Sequence, residues 1–196
     1  MNQARTTLRG TLRERRRALP APERIAAAGR LATRLLSLPF APSSGPVAGY
    51  WAMDGEIALL SWQLQLPRDV VYCLPVLADD GLLRFAPWRP GDPLASNRFG
   101  IPEPDVGENA LLTGSEMSLV VVPLVGFDAN GNRLGMGGGW YDRTFAFRND
   151  QAVAPPPWLV GAAFGFQQLD AIAREPWDVP LDATCTEADT FLTGAA

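Results

Sequence analysis

The chain has 196 residues, 47% of them hydrophobic, and a net charge of −4 at pH 7, which suits a globular domain with a substantial core. It contains no histidine and no lysine, so all 17 basic residues are arginine. This composition excludes histidine-based triads, histidine metal sites, Schiff-base lysines and the P-loop lysine. Any phosphate chemistry must therefore rest on arginine, backbone amides or a metal ion.

The two cysteines, Cys73 and Cys185, lie far apart in the sequence and show no metal-binding spacing. Two thiols do not build a disulfide scaffold, which favours a reducing compartment. The arginine-rich start lacks the apolar core of a signal peptide, and the longest apolar stretch, 119–127, falls well short of the roughly 18 residues of a membrane span. We expect a soluble, cytoplasmic, monomeric protein with no membrane partner.

Charge is distributed unevenly along the chain. Residues 1–34 hold nine arginines and two acids, whereas the remainder holds eight arginines and nineteen acids. The simplest interpretation is a solvated helix face that lies across the acidic body. The alternatives are an anion site for a polyphosphate ligand and an arm that binds nucleic acid. Nucleic acid is disfavoured because the chain is acidic overall and residues 1–34 contain no aromatic side chain to stack on bases.

Two helices are predicted at the amino terminus. Over 5–19 leucines recur at near-helical spacing, and Arg5, Arg9 and Arg13 repeat every four residues, so that three guanidinium groups share one face and can converge. Prolines at 20 and 22 break this pattern, and a second helix is predicted over 22–38. We expect three apolar residues of this second helix to face inward: Ile25, Leu31 and Leu35.

After a loop at 39–46, short apolar runs predict five strands: 47–51, 70–76, 82–88, 119–126 and 159–166. Asp79-Asp80-Gly81 predicts a hairpin turn, and the run 120–122, three valines, is typical of a central strand covered on both faces. Further helices are predicted over 58–65, 140–147 and 167–173. Helices that alternate with buried strands predict one α/β domain over 1–196, a three-layer αβα sandwich with a mostly parallel central sheet and an amino-terminal helical pair.

The densest functional signal is the segment 123–143, which reads PLVGFDANGNRLGMGGGWYDR. A buried strand ends there, four glycines fall within the five positions 135–139, and a helix begins. Glycines let consecutive amides point into one concavity, and a helix amino terminus favours an anion, so the segment predicts a phosphate cradle. It matches neither the Rossmann fingerprint nor the Walker A motif, and a structural glycine-rich turn is an equal alternative.

Three carboxylates and one aromatic ring are further candidates. Asp142 and Asp178 could hold Mg²⁺ beside a phosphate cradle, although a solvated first-turn acid is the commoner role for a residue placed like Asp142. Glu56 follows the first strand, at the sheet edge where ligands bind, and a turn acid before a helix explains it equally well. Phe99 lies in a proline-bounded loop, and core packing is the favoured interpretation for its ring.

Taken in order, these motifs resemble the 5-formyltetrahydrofolate cyclo-ligase family, also called methenyltetrahydrofolate synthetases, over nearly the full chain. The resemblance rests on Arg5-x-x-Leu8-Arg9, Gly55-Glu56-Ile57, 100–104, 123–142, and 177–182 followed by Thr186-Glu187. It implies that magnesium-ATP phosphorylates the formyl oxygen of 5-formyltetrahydrofolate, that the neighbouring folate nitrogen attacks the activated carbon, and that phosphate leaves. The products would be 5,10-methenyltetrahydrofolate, ADP and phosphate. Such chemistry needs positioning and charge neutralisation, which arginines, amides and a metal supply.

The resemblance also implies roles for individual residues. ATP binding falls to Arg5, Arg9, Arg133, Gly135, Met136, Gly137, Gly138, Gly139, Trp140 and Tyr141. Folate binding falls to Arg9, Glu56, Phe99, Met136, Gly137, Gly138, Gly139 and Trp140. Mg²⁺ falls to Asp142 and Asp178, and the catalytic residues are Arg9, Arg133 and Tyr141.

Three residues depart from the family's usual pattern. Arg5 stands where lysine is usual, which replaces a point charge with a planar fork. Trp140 replaces a tyrosine, and Trp177 stands where bacterial members often have histidine. These departures keep an alternative open: an ATP-binding paralogue that acts on another formylated or heterocyclic substrate, or a folate binder without turnover. An RNA-associated module is a third hypothesis, which the acidic net charge opposes.

Overall fold

The structure is a computed structural model that describes residues 3–150 and 154–193. Its helices are α1 (Gln3–Arg17), α2 (Ala21–Leu36), α3 (Leu60–Gln63) and α4 (Trp140–Thr144). Its strands are β1 (Ser44–Ala48), β2 (Asp69–Leu77), β3 (Leu83–Pro87), β4 (Leu94–Ser96), β5 (Pro102–Pro104), β6 (Leu119–Pro123), β7 (Gly126–Phe127), β8 (Arg133–Leu134), β9 (Trp158–Ala162), β10 (Ala183–Cys185) and β11 (Thr190–Leu192). No helix in the described ranges has the length and apolarity needed to cross a bilayer.

The central sheet has the strand order β11-β10-β9-β6-β1-β2-β3. The strands from β10 to β2 run parallel, and the edge strands β11 and β3 are antiparallel. The chain builds outward from β1 through β2 to one edge, then returns to β6 on the other side of β1. The junction of β1 and β6 is therefore the topological switch point, and in open α/β sheets ligands bind at the carboxyl ends of such strands.

Helices and loops cover both faces of the sheet, and β6 shows how its side chains divide between them. Leu119 and Val121 pack into a core with α2 and α3, whereas Val120 and Val122 pack into a second core with α4 and the residues around it. Successive strand residues point to opposite faces, so a strand buried on both sides is apolar throughout. The predicted α/β sandwich with a mostly parallel sheet is confirmed, and so is the central place of the valine run.

Helix α2 faces the core with a different stripe from the one predicted. Leu31 and Leu35 are buried, but Ile25 is 73% exposed. At 3.6 residues per turn, the six residues from Ile25 to Leu31 leave their side chains about 120° apart around the helix. Ala27 and Ala28 lie three or four residues before Leu31 and occupy the buried face instead.

The predicted helix over 167–173 is wrong. One 3-10 turn, Gly165–Gln167, is followed by irregular chain. From residue 169 onward the backbone amides bond to the segment after β6: the Leu169 amide donates to the Phe127 carbonyl and the Ile172 amide donates to Asp128 Oδ2. The side-chain amide of Gln167 donates to the carbonyls of residues 124 and 125.

Other predicted boundaries shift by a few residues. The strands predicted over 47–51, 119–126 and 159–166 leave the sheet earlier, at 48, 123 and 162. The helix predicted over 58–65 shortens to α3, and the one predicted over 140–147 divides into α4 and a 3-10 turn at Ala146–Asn149. The hairpin at 79–81 is confirmed, with the Ala78 amide donating to the Leu82 carbonyl at 3.0 Å. Strands β4, β5, β7, β8, β10 and β11 were not predicted; they are two or three residues long.

Both cysteines are free and buried. Burial raises the pKa of the Cys73 thiol to about 12 and that of the Cys185 thiol to about 11. A thiol with so high a pKa is protonated at neutral pH and is a poor nucleophile. Neither side chain is therefore a candidate for covalent catalysis.

Candidate functional site

Three segments meet at the carboxyl ends of β1 and β6. The loop after β1 carries Asp54 and Glu56, and the chain after β6 leads through the β7–β8 ribbon to the glycine-rich turn, 135–139. Helix α1 contacts both of them through arginine side chains. The sheet topology therefore brings the amino-terminal arginines and the glycine-rich turn to the same place, as expected from their chemistry.

Arg16 is the most deeply buried of the residues that join these segments, with 1% of its side chain exposed. Its Nε donates to the Asp54 carbonyl at 2.9 Å, and its Nη2 donates to Asp54 Oδ2 at 3.0 Å. Its Nη1 donates to the Leu124 carbonyl at 3.2 Å. One guanidinium thus connects α1, the loop after β1 and the end of β6. Sequence reasoning missed Arg16, although the stripe of Arg9 and Arg13, extended by three residues, would have reached it.

Asp54 accepts from three arginines. Arg13 Nε lies 2.6 Å from Oδ2, Arg16 Nη2 lies 3.0 Å from the same oxygen, and Arg17 Nη1 lies 2.9 Å from Oδ1. Asp54 itself has a φ of 52°, and a Cβ at Gly55, whose φ is 76°, would lie 3.2 Å from the carbonyl oxygen of Arg16. The turn therefore lies directly against α1. Burial raises the pKa of Asp54, but the hydrogen bonds from Arg13 and Arg17 outweigh it and the pKa falls below its usual value.

The predicted convergence of three arginines on α1 is wrong in one respect. Arg13 turns to Asp54, away from the other two. Arg9 Nε donates to the Gly135 carbonyl at 2.8 Å, and Arg5 Nη2 donates to the Ala173 carbonyl at 3.1 Å. Partial burial and the charge of Arg5 lower the pKa of Arg9. Arg5 also lies 3.6 Å from Glu175 Oε1, whereas Arg9 has no carboxylate partner among the described residues, and this favours an anion beside Arg9.

The glycine-rich turn combines exposure with special backbone geometry. Gly137 and Gly139 have φ values of 98° and 65°, which only glycine adopts freely, and residues 136–138 are exposed. Gly135 differs, because its φ is ordinary and an added Cβ would meet nothing within 4 Å. The fold thus requires glycine at 137 and 139, while at 135 it does not.

Arg133 and Asp142 form an ion pair beside this turn. Arg133 Nη2 lies 2.5 Å from Asp142 Oδ1, and only 7% of the arginine side chain is exposed. Its Nη1 donates to the Val179 carbonyl, and the Val179 amide donates to Asp142 Oδ1 at 3.1 Å. Burial lowers the pKa of Arg133, while the charges of Asp142 and Asp178 act in the opposite direction. Asp142 is therefore an ion-paired side chain, and the solvated-acid interpretation is wrong.

Each of the two predicted metal ligands, Asp142 and Asp178, has one carboxylate oxygen that accepts no hydrogen bond from the described residues. The hydrogen bonds to Asp142 within the described ranges end on Oδ1, and the one to the Asp178 carboxylate, from the Glu175 amide at 2.9 Å, ends on Oδ2. No three histidine, cysteine, aspartate or glutamate side chains cluster anywhere in the described part of the chain. A metal ion here would take at most two carboxylates, and Mg²⁺ commonly binds one or two carboxylates together with phosphate oxygens and water. The donor set fits that ion.

Glu56 and Tyr141 lie on the inner side of the same region. The Glu56 carboxyl accepts from the Met53 amide at 3.0 Å and lies 3.8 Å from Arg16 Nη1. Burial raises its pKa, which the Met53 amide and Arg16 partly offset. Burial, reinforced by the charge of Glu56, also raises the pKa of Tyr141, and the charge of Arg133 opposes that change. Glu56, Tyr141 and Arg133 are thus electrostatically coupled neighbours.

Trp140 and Phe99 form the outer side of the region. The guanidinium of Arg98 lies 5.4 Å from the Trp140 ring and 5.2 Å from the Phe99 ring, and that of Arg143 lies 5.0 Å from Trp140. Phe99 is 57% exposed, so the packing interpretation is wrong. Its loop joins the three-residue strands β4 and β5, and Asn97 Oδ1 holds it by accepting from the Phe99 amide at 2.8 Å. A hairpin this short has no interior in which to bury a ring.

Comparison with known proteins gives consistent results. The model of the 5-formyltetrahydrofolate cyclo-ligase family matches residues 1–187. The chain is 37% identical over 184 residues to the 5-formyltetrahydrofolate cyclo-ligase of Escherichia coli K12, covering 92% of this chain and 98% of that one. It is 36% identical over 183 residues to that of Haemophilus influenzae, covering 91% and 95%.

Solved structures show the same fold. The NMR structure of Aquifex aeolicus 5,10-methenyltetrahydrofolate synthetase has a TM-score of 0.80 and 28% identity, covering 98% of this chain and 94% of that one. The 5,10-methenyltetrahydrofolate synthetase from Mycoplasma pneumoniae has a TM-score of 0.71 at 22% identity, covering 93% and 98%, and shares the fold.

Replacing Arg16 with leucine should destabilise the protein far more than replacing Arg13 with alanine. Arg16→Leu leaves the Asp54 carbonyl and carboxylate without a buried donor and removes one of the two donors to the Leu124 carbonyl, at a cost of about 3 kcal/mol. Arg13→Ala removes a partly exposed pair, worth about 1 kcal/mol or less. Urea unfolding measures both free energies, and equal losses would contradict the role given to Arg16.

The Asp54 network should make stability depend on pH in acid. Because the folded pKa of Asp54 is lowered, its contribution is complete above its unfolded pKa of about 4 and is lost as the pH falls through the folded value. The free energy of unfolding should therefore fall more steeply below about pH 4 in the unmodified protein than in Asp54→Asn. Parallel curves for the two proteins would show that the network stores no such energy.

Proposed function

This chain belongs to the 5-formyltetrahydrofolate cyclo-ligase family, and on that premise we propose that it closes the ring of 5-formyltetrahydrofolate with ATP, giving 5,10-methenyltetrahydrofolate, ADP and phosphate. Family membership makes it a ligase of folate metabolism. The observation that carries the proposal is the hydrogen bond from Arg9 to Gly135, which joins α1 to the glycine-rich turn at the switch point. A basic helix and an exposed glycine turn together are suited to a polyphosphate.

The triphosphate would lie between α1 and the turn. Arg5 and Arg9 supply the cationic side, and the exposed backbone of 136–138 supplies amides. Gly135 supports this placement, because neither its φ nor its surroundings require glycine. Close approach of a ligand to the main chain remains as a physical reason for glycine at this position.

Mg²⁺ would be held by one free oxygen each from Asp142 and Asp178. When bound, it neutralises charge that develops on the transferred phosphoryl group. Arg133 is already held by its ion pair with Asp142 and its hydrogen bond to the Val179 carbonyl, so its guanidinium needs no reorganisation to stabilise the same charge.

The folate would lie on the other side of the turn, between Glu56 and the rings of Trp140 and Phe99. The carboxyl of Glu56 is mostly buried and can accept from an N–H of the folate heterocycle. Trp140 carries no phenol hydroxyl, so contact there is through the ring face. Placed this way, the formyl group and the terminal phosphate meet at the glycine-rich turn.

The chain's own groups then account for the reaction. The formyl oxygen attacks the terminal phosphorus, ADP leaves, the neighbouring nitrogen attacks the activated carbon and loses its proton, and phosphate departs. Arg9 and Arg133 stabilise the charge on the transferred group. The hydroxyl of Tyr141 stays protonated because its pKa is raised, so its role is hydrogen-bond donor rather than base.

We also propose that the enzyme works as a cytoplasmic monomer. Two buried, unpaired cysteines support a reducing compartment. Light scattering of the purified protein tests the assembly state, and a stable dimer would contradict it.

The activity is tested by incubating pure protein with 5-formyltetrahydrofolate and magnesium-ATP while following the absorbance of the methenyl product. Product should form only when ATP and the metal are both present. Formation without ATP, or none with it, would contradict the proposal. Tight folate binding without turnover would instead identify a folate-binding protein.

Gly135→Ala should leave the fold unchanged and weaken ATP binding. An added methyl meets no protein atom within 4 Å, so we expect a change in unfolding free energy of about 0.5 kcal/mol or less. The methyl would occupy space needed by the phosphates and raise the KM for ATP about 10-fold. Gly29→Ala, in α2 and equally free of neighbours, is the matched control and should keep the KM for ATP. Equal KM values in both variants would contradict the cradle.

A further inference from the structure

Trp177 stands apart from the other tryptophans. Each of the remaining five contacts an aromatic ring or an arginine within the protein: Trp51, Trp62, Trp88, Trp140 and Trp158. Among the described residues, Trp177 has no such ring contact, and it is 65% exposed. An indole presents a broad apolar π face together with one polar N–H, which suits a site that is partly in water and partly covered by a ligand.

The segment that carries Trp177, residues 173–178, is held by contacts with Arg5 of α1 and by hydrogen bonds within the segment. Arg5 Nη2 donates to the Ala173 carbonyl at 3.1 Å, and Arg5 Nη1 lies 3.6 Å from Glu175 Oε1. Within the segment, the Glu175 amide donates to Asp178 Oδ2 at 2.9 Å and Arg174 Nε donates to the Asp178 carbonyl at 3.1 Å. The exposed indole therefore lies on an ordered turn rather than on a loose loop.

Trp177 adjoins residues that are assigned to the metal ion and the phosphates. Next to it in the chain, Asp178 acts electrostatically on Arg133, and the Val179 amide donates to Asp142. The charges of Glu56 and Arg133 both act on Tyr141. With the folate at Glu56 and the phosphates at Asp142 and Asp178, the base of the nucleotide would extend away from the folate, along the segment that carries the indole.

We propose that Trp177 is the stacking platform for the adenine ring of ATP and so helps to determine nucleotide affinity. This inference rests on the proposed function. The folate heterocycle is a weaker match for Trp177, since the rings of Phe99 and Trp140, which both lie beside Arg98, are already available to it in the proposed folate site. Stacking of a base on an aromatic side chain needs only a π face, which suits a surface indole without further polar partners.

The test compares Trp177→Ala and Trp177→Phe with Ile25→Ala, a control that removes another exposed apolar side chain, 73% exposed, from α2. Trp177→Ala should raise the KM for ATP about 10-fold, and Trp177→Phe should restore most of the affinity. Ile25→Ala should leave it unchanged. Inhibition by inorganic tripolyphosphate, which lacks a base, should be equally strong in all four proteins, and the KM for 5-formyltetrahydrofolate should not change.

Three outcomes would overturn the inference: an unchanged KM for ATP in an active Trp177→Ala, a raised KM for the folate alone, or equal weakening of ATP and tripolyphosphate. An unmodified protein that makes no product would refute the proposed function separately. Calorimetric titration with magnesium-ADP then still decides the role of Trp177. Weaker ADP binding in Trp177→Ala than in Ile25→Ala supports it, and equal binding overturns it.

Discussion

A single buried guanidinium holds the site together. Arg16 donates to the loop after β1 through Asp54 and to the end of β6 through Leu124, and it is itself part of α1. Without this contact nothing equally buried would orient α1 over the switch point, and Arg5 and Arg9 depend on that orientation to reach the glycine-rich turn and the 173–178 segment. Arginine suits this place because its planar fork directs five N–H donors to acceptors on two different loops, whereas the three donors of lysine radiate from one nitrogen atom.

Charge around the site is divided between structural and ligand-facing roles. Arg13, Arg16 and Arg17 form ion pairs with Asp54, and Arg133 forms an ion pair with Asp142. Arg9, by contrast, bonds to a carbonyl and feels the like charge of Arg5. A chain with an acidic net charge thereby keeps a locally cationic surface where a polyphosphate would be bound. In a protein without histidine or lysine, this division leaves an arginine available for the phosphoryl transfer that we propose.

Several parts of the fold and of the candidate site could be predicted from the sequence, because residues that are neighbours in the chain specify them. The valine run of β6, the turn at 79–81 and the glycine-rich segment are each specified by residues within a few positions of one another. Two ion pairs have no local sequence signal, because they depend on how loops pack at the switch point: Arg133 with Asp142, and Arg13 with Asp54. The same reason explains the false helix at 167–173, whose backbone groups bond to the chain after β6. The short strand β10 forms because β9 provides an edge for it, and β11 pairs in turn with β10.

The central claim is that α1 and the glycine-rich turn bind one and the same triphosphate. Titration of isotope-labelled protein with magnesium-ATP, followed by NMR, tests it most directly. The Nε–H signal of Arg9 and the backbone amide signals of Gly137, Gly138 and Gly139 should shift together with one dissociation constant. Shifts confined to either segment, or two distinct constants, would contradict the account.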